Sequence, residues 1–84
     1  MNTVFLLMAE FETATIPLSQ IAERYLRMNA STANRKAIYG KLDIPTFKMD
    51  DGQKSPRFVH VQDLAEFIDK KREQAKKELE LVNN

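Results

Sequence analysis

Two short stretches hold the side chains best suited to chemistry. Ser31, Thr32, Asn34, Arg35 and Lys36 lie within six consecutive positions, with Tyr39 just beyond. Lys48, Gln53, Lys54, Ser55 and Arg57 lie within ten. Asn pairs bidentately with adenine and Arg with guanine, while Lys, Arg, Ser and Gln suit phosphate oxygens. That is the chemistry of reading a polyanion. Catalysis finds little support. There is no cysteine, so thiolate nucleophiles, disulfides and cysteine-based metal sites are excluded, and the one histidine, His60, does not make a metal site alone. Gly40 and Gly52 are too few for a glycine-rich phosphate loop. Asp50, Asp51 and Asp63 lack a nucleophile or base at useful spacing. No metal, cofactor or enzymatic activity is expected. His60, between Val59 and Val61, reads as structural, and Met8, Met28 and Met49 read as gap-fillers in the core.

The charge distribution agrees. The net charge over 84 residues is only +1, but it is unevenly placed. Residues 1–23 hold three acids and no base, residues 24–57 hold eight bases against three acids, and residues 58–84 hold five bases against six acids. A basic block between acidic flanks points to a polyanionic partner, because clustered Lys and Arg release counterions from phosphates. A solvated basic face with no ligand is the plain alternative. Asp50 and Asp51 oppose phosphate binding unless they point away or stabilise a turn.

The elements that must position these groups follow from periodicity. A chain of 9.7 kDa is read as one domain, residues 1–84. At this size only about 60–65% of the unfolded surface is buried, so oligomers are common. The apolar run Val4–Ala9 is too short to span a bilayer and has no base before it, so neither a membrane span nor a secretory leader is expected. The chain reads as soluble and cytoplasmic. Val4, Leu7, Met8 and Phe11 have helical spacing, although the unbroken run also fits a buried strand. Glu12–Thr15 reads as a connector, and Pro17 marks a boundary. Leu18, Ile21, Ala22 and Tyr25 predict an amphipathic helix over 18–26. A turn at Arg27–Asn29 leads to a second helix, about 30–39, capped by Asn29 or alternatively by Ser31 and ended by Gly40. Ala33 and Ala37 form its narrow inner face. Thr46–Met49 then alternates as a strand does, Asp50-Asp51-Gly52 is turn chemistry, and Arg57–Val61 is a second strand. From Gln62 onward the pattern is helical to about residue 82, with Leu64, Ala65, Phe67 and Ile68 inward.

Two helices joined by a tight turn, then a hairpin and a longer helix, is the order of a winged helix-turn-helix. The expected class is therefore mainly α with a small β-hairpin (α+β), of the MerR/excisionase-like kind. In such folds the second helix enters the major groove and the hairpin grips the backbone. Here that turns Ser31, Asn34, Arg35 and Tyr39 outward, with Thr32 and Lys36 on the flanks. The wing, about 46–61, presents Lys48, Gln53, Lys54, Ser55 and Arg57. A homodimer is expected, since small readers gain from two-fold operators. Ile68, Ala75, Leu79 and Val82 recur about every 3.5 residues and offer one interface, interrupted by Arg72; the apolar run near the N-terminus competes. Rival readings are an architectural factor that bends DNA, as excisionases do, and a protein-binding adaptor whose basic block meets an acidic partner.

Several ordered blocks resemble the pyocin activator protein PrtN family. They are Asn2–Phe11, Ile16-Pro17-Leu18, Arg35-Lys36-Ala37, Gly40-Lys41-Leu42, Gln53-Lys54-Ser55-Pro56 and Val59–Asp69. The resemblance runs to about Arg72. It implies a sequence-specific, DNA-binding transcriptional activator of a bacteriocin or phage-tail-like gene cluster in bacteria. Its implied partners are double-stranded DNA at a promoter element and RNA polymerase, and its implied place is the bacterial nucleoid.

Overall fold

Asn2 opens the first helix, α1 (Thr3–Phe11), its side chain accepting from the Phe5 amide at 3.0 Å. The computed structural model describes residues 2–83. The cap satisfies an otherwise orphaned amide and fixes the apolar run as helix rather than strand. Glu12 ends α1 in the left-handed region (φ 58°), its amide on the Met8 carbonyl at 2.8 Å. The connector expected over Glu12–Thr15 is shorter than that, because Thr15 begins a strand, β1 (Thr15–Pro17). Three residues ending in proline give no alternation to detect. Proline is tolerated there because β1 lies at a sheet edge.

Helix α2 starts at Leu18–Ile21 and continues as a π-helical turn over Ala22–Leu26. Leu18, Ile21 and Ala22 are buried, as their spacing predicts. Arg24 pairs with Glu10 and lies 5.7 and 5.2 Å from the ring centroids of Phe11 and Tyr25, which ties α2 to α1. Burial, with Glu10 beside it, raises the Tyr25 phenol above its ordinary range, while Arg24 pulls the other way. Arg27 closes α2 with φ 58°.

Helix α3 (Ala30–Ile38) begins at the cap Asn29, whose side chain accepts from the Thr32 amide at 2.8 Å, so Ser31 lies inside the helix. Ala33 is fully buried and Ala37 half-buried, which lets α3 sit close on α2. Gly40 stops the helix with φ 67°. Its amide reaches the Ala37 carbonyl at 3.1 Å, and the Lys41 amide reaches the Lys36 carbonyl at 2.8 Å. Those are the two bonds of a Schellman motif, which needs the left-handed residue that glycine supplies most easily.

The hairpin strands are β2 (Phe47–Lys48), two residues shorter than expected, and β3 (Arg57–His60). The sheet order is β1-β3-β2, antiparallel throughout, so the hairpin belongs to a three-stranded sheet. Ile16 faces Val59 across β1 and β3, and both are fully buried. Phe47 faces Phe58, with ring centroids 6.4 Å apart. His60 has the structural role expected of it: Nδ1 accepts from the Gln62 amide at 3.0 Å, at the start of helix α4 (Val61–Asn83). The Val61 amide donates to the Ala14 carbonyl at 2.8 Å. Val61, Leu64 and Ala65 enter the core, and Asp69 accepts from the Thr3 hydroxyl of α1 at 2.6 Å. Beyond Lys70 every described residue of α4 is exposed, and the longest dimension reaches 51 Å.

Two of the three methionine expectations fail. Met8 is 46% exposed on the outer side of α1, and Met49 is 61% exposed beyond the short strand β2; only Met28 packs against the core. The α+β class is as expected, and the element order is consistent with a winged helix-turn-helix. Among the described residues, no helix is long and apolar enough to cross a membrane.

Candidate nucleic-acid interface

With Ala33 turned inward, the helical repeat of 3.6 residues places Ser31 and Arg35 on the opposite side of α3. Ser31, Asn34, Arg35, Lys36 and Tyr39 are exposed, and Thr32 is half-buried. None of these six side chains is hydrogen-bonded or ion-paired to another described residue. Ile38 joins them, 58% exposed beside Tyr39 at 71%. The sequence reading missed Ile38, although the helical wheel already places it outward.

Asn34 is the member of this face that meets the hairpin. It lines a cleft of about 170 Å³ together with Arg57 at the start of β3, Ser19 at the start of α2, and Ala30. Asn34 and Arg57 are thus brought together from positions 23 apart in the chain. Ser19 carried no signal in the sequence, because its place depends on how α2 meets the hairpin.

The hairpin tip is held by its own side chains. Asp50 Oδ1 accepts from the Gly52 amide at 2.9 Å and from the Ser55 hydroxyl. The Lys48 ammonium donates to the Gly52 carbonyl at 3.0 Å, and Arg57 Nη1 donates to Thr46 Oγ1 at 3.2 Å. Lys48, Ser55 and Arg57 are therefore partly committed to bracing the loop, whereas Gln53 and Lys54 are exposed. The Ser55 hydroxyl, and then the Gly52 amide, hold the Asp50 carboxyl below its ordinary range. Asp50 thus stabilises the turn, one of the two roles its position allowed, and it does so as the charged carboxylate. A Cβ at Gly52 would lie 2.7 Å from Ser55 Oγ and 3.1 Å from Asp50 Oδ1, so a side chain there would push these two bracing groups apart.

Among the described residues, no group of three or more His, Asp and Glu side chains could hold a metal ion. What the described residues build is a small α+β scaffold, with an exposed polar helix face beside a braced hairpin. The model of the pyocin activator protein PrtN family matches residues 3–75, from α1 into α4, and the chain belongs to that family. The family is one of transcriptional activators of pyocin genes, which is not an enzyme class. Comparison with curated proteins and with solved structures gave no match.

Proposed function

We propose that the chain, acting as a single winged helix-turn-helix domain over residues 1–84 with α4 as its extension, activates transcription by reading a promoter element in duplex DNA. The observation that supports this reading is the outer face of α3, whose polar side chains have no partner among the described residues. In the major groove, Arg35 is placed for guanine and Asn34 for adenine, with Ile38 and Tyr39 offering apolar contact to a thymine methyl. Ser31, Thr32 and Lys36 border the same face. Lys54 and Gln53 at the wing tip, with Lys48, Ser55 and Arg57 behind them, meet phosphates and fix register without reading sequence. RNA polymerase and a second copy of the chain are the further partners, and the site of action is the bacterial nucleoid. Phe5 and Leu6 on α1, and Leu79, Leu81 and Val82 on α4, are exposed apolar residues that suit a homodimer.

A footprint on DNA from the gene's own neighbourhood, joined to a reporter assay, tests the reading. A protected promoter element whose reporter rises with the protein supports it. Protection with strong bending and no reporter response favours the architectural factor, and no protection favours the adaptor. Light scattering at high concentration, free and with DNA, checks the dimer; a strictly monomeric mass in both removes it.

A further inference from the structure

On the flank of α3 away from the hairpin, a second cleft of about 230 Å³ is lined by three lysines. Lys36 comes from α3, Lys41 from the residue after Gly40, and Lys71 from α4, over a floor formed by Tyr25 and Phe67. All three lysines are exposed, and none is ion-paired to a described carboxylate; Asp43 is the one acid on the lining. The Schellman bond from the Lys41 amide to the Lys36 carbonyl folds the chain back and sets these two side by side. Lys71 is held differently, its ammonium 5.6 Å from the Phe67 ring centroid. Lys36 and Lys41 also suit the negative end of α3, where cations are favoured. That explanation does not reach Lys71, which lies in the middle of α4 and arrives from 30 residues away.

We propose that Lys36, Lys41 and Lys71 form a second phosphate-binding cleft, which takes the sugar-phosphate backbone of duplex DNA on the side of α3 opposite the wing. The inference rests on the DNA-reading function proposed above and adds Lys41 and Lys71 to its interface. Its logic is one of two flanks. A helix lying in the major groove has a phosphate backbone on each side, about 12 Å apart across the groove. Asn34 opens one flank of α3 toward Arg57 of the hairpin, and Lys36 opens the other toward Lys41 and Lys71. The domain thereby grips both walls of the groove. Lys71 also draws α4 into the interface, although the segment to which it belongs is acidic overall.

The test is a salt titration of binding to a mixed-sequence duplex, where phosphate contacts supply the affinity and each contributes about 0.9 to the log–log slope. Lys41→Gln/Lys71→Gln keeps the side-chain stems and removes two charges. It should flatten the slope by about two contacts' worth. Lys76→Gln/Lys77→Gln removes the same charge from the distal part of α4 and should leave the slope nearly unchanged. Equal flattening by both pairs overturns the cleft in favour of net charge. An unchanged slope for Lys41→Gln/Lys71→Gln, with a steep wild-type slope, overturns the cleft and leaves the DNA reading standing. A wild type with no salt-dependent affinity overturns both. Circular dichroism of each double variant confirms that the fold is retained.

Discussion

The outer face of α3 and the tip of the β2–β3 hairpin carry similar residue types, yet they hold them differently. On α3 the side chains are free, and rigidity comes from the backbone: a capped start at Asn29, a buried Ala33 and a glycine-closed end. At the hairpin tip the backbone alone is weak, since β2 has only two residues, and side chains provide the bracing through Asp50, Ser55, Lys48 and Arg57. A regular helix can spend its side chains on a ligand. A short loop must first spend some of them on itself. Under the proposed DNA reading, this difference assigns discrimination to α3 and grip to the hairpin.

Breaking the support common to both regions should have the largest effect. Ile16 is fully buried opposite Val59, on the strand pair that joins the hairpin to the body. Ile16→Ala should cost about 2–5 kcal/mol of stability, from lost burial plus the cavity left behind. Urea unfolding measures it, and a cost under a few tenths would show that β1 is not a supporting strand.

Next comes the closed end of α3. Gly40→Ala meets no steric obstacle, since no atom lies within 4 Å of the added Cβ, but it forces a side chain into the left-handed region. A loss of about 1–2 kcal/mol is expected from the backbone alone. The same measurement on Gly52→Ala separates strain from collision, because there the added Cβ meets Ser55 and Asp50.

The smallest effect sharpens the hairpin side of the comparison. The folded Asp50 carboxyl lies below its ordinary value of 3.8, so its contribution is present above that value and is lost as pH falls through the folded one. Acid below about pH 4 should loosen the hairpin tip, whereas Asp50→Asn should show little further change there. Backbone amide signals of Gly52 and Ser55, followed by NMR across this range, report it. The α3 signals should not move in step.

Much of this contrast was open to sequence reasoning, and the remainder had a physical reason to hide. Asn29, Ala33 and Gly40 announce α3 because capping, close packing and left-handed termination each select particular residue types. Leu18, Ile21 and Ala22 announce the inward face of α2 by spacing. β1 was hidden because Thr15-Ile16-Pro17 is too short for a period and exists only through pairing with β3. The internal commitment of Ser55 and Arg57 was hidden for a similar reason, since Asp50 and Thr46 become their partners only once the hairpin has folded. Met8 and Met49 misled because composition marks them apolar while their positions, on an outer helix face and a loop, leave them exposed.

The direct test of discrimination on α3 against grip on the hairpin is to compare Arg35→Ala and Lys54→Ala on the footprinted duplex and on a scrambled one. Arg35→Ala should lose about 1–3 kcal/mol on the specific duplex, with relaxed preference at one base pair and little change on the scrambled duplex. Lys54→Ala should weaken both duplexes alike and flatten the salt slope by about one unit. Wild-type affinity retained by the double variant at physiological salt would contradict the assignment of DNA reading to these two regions.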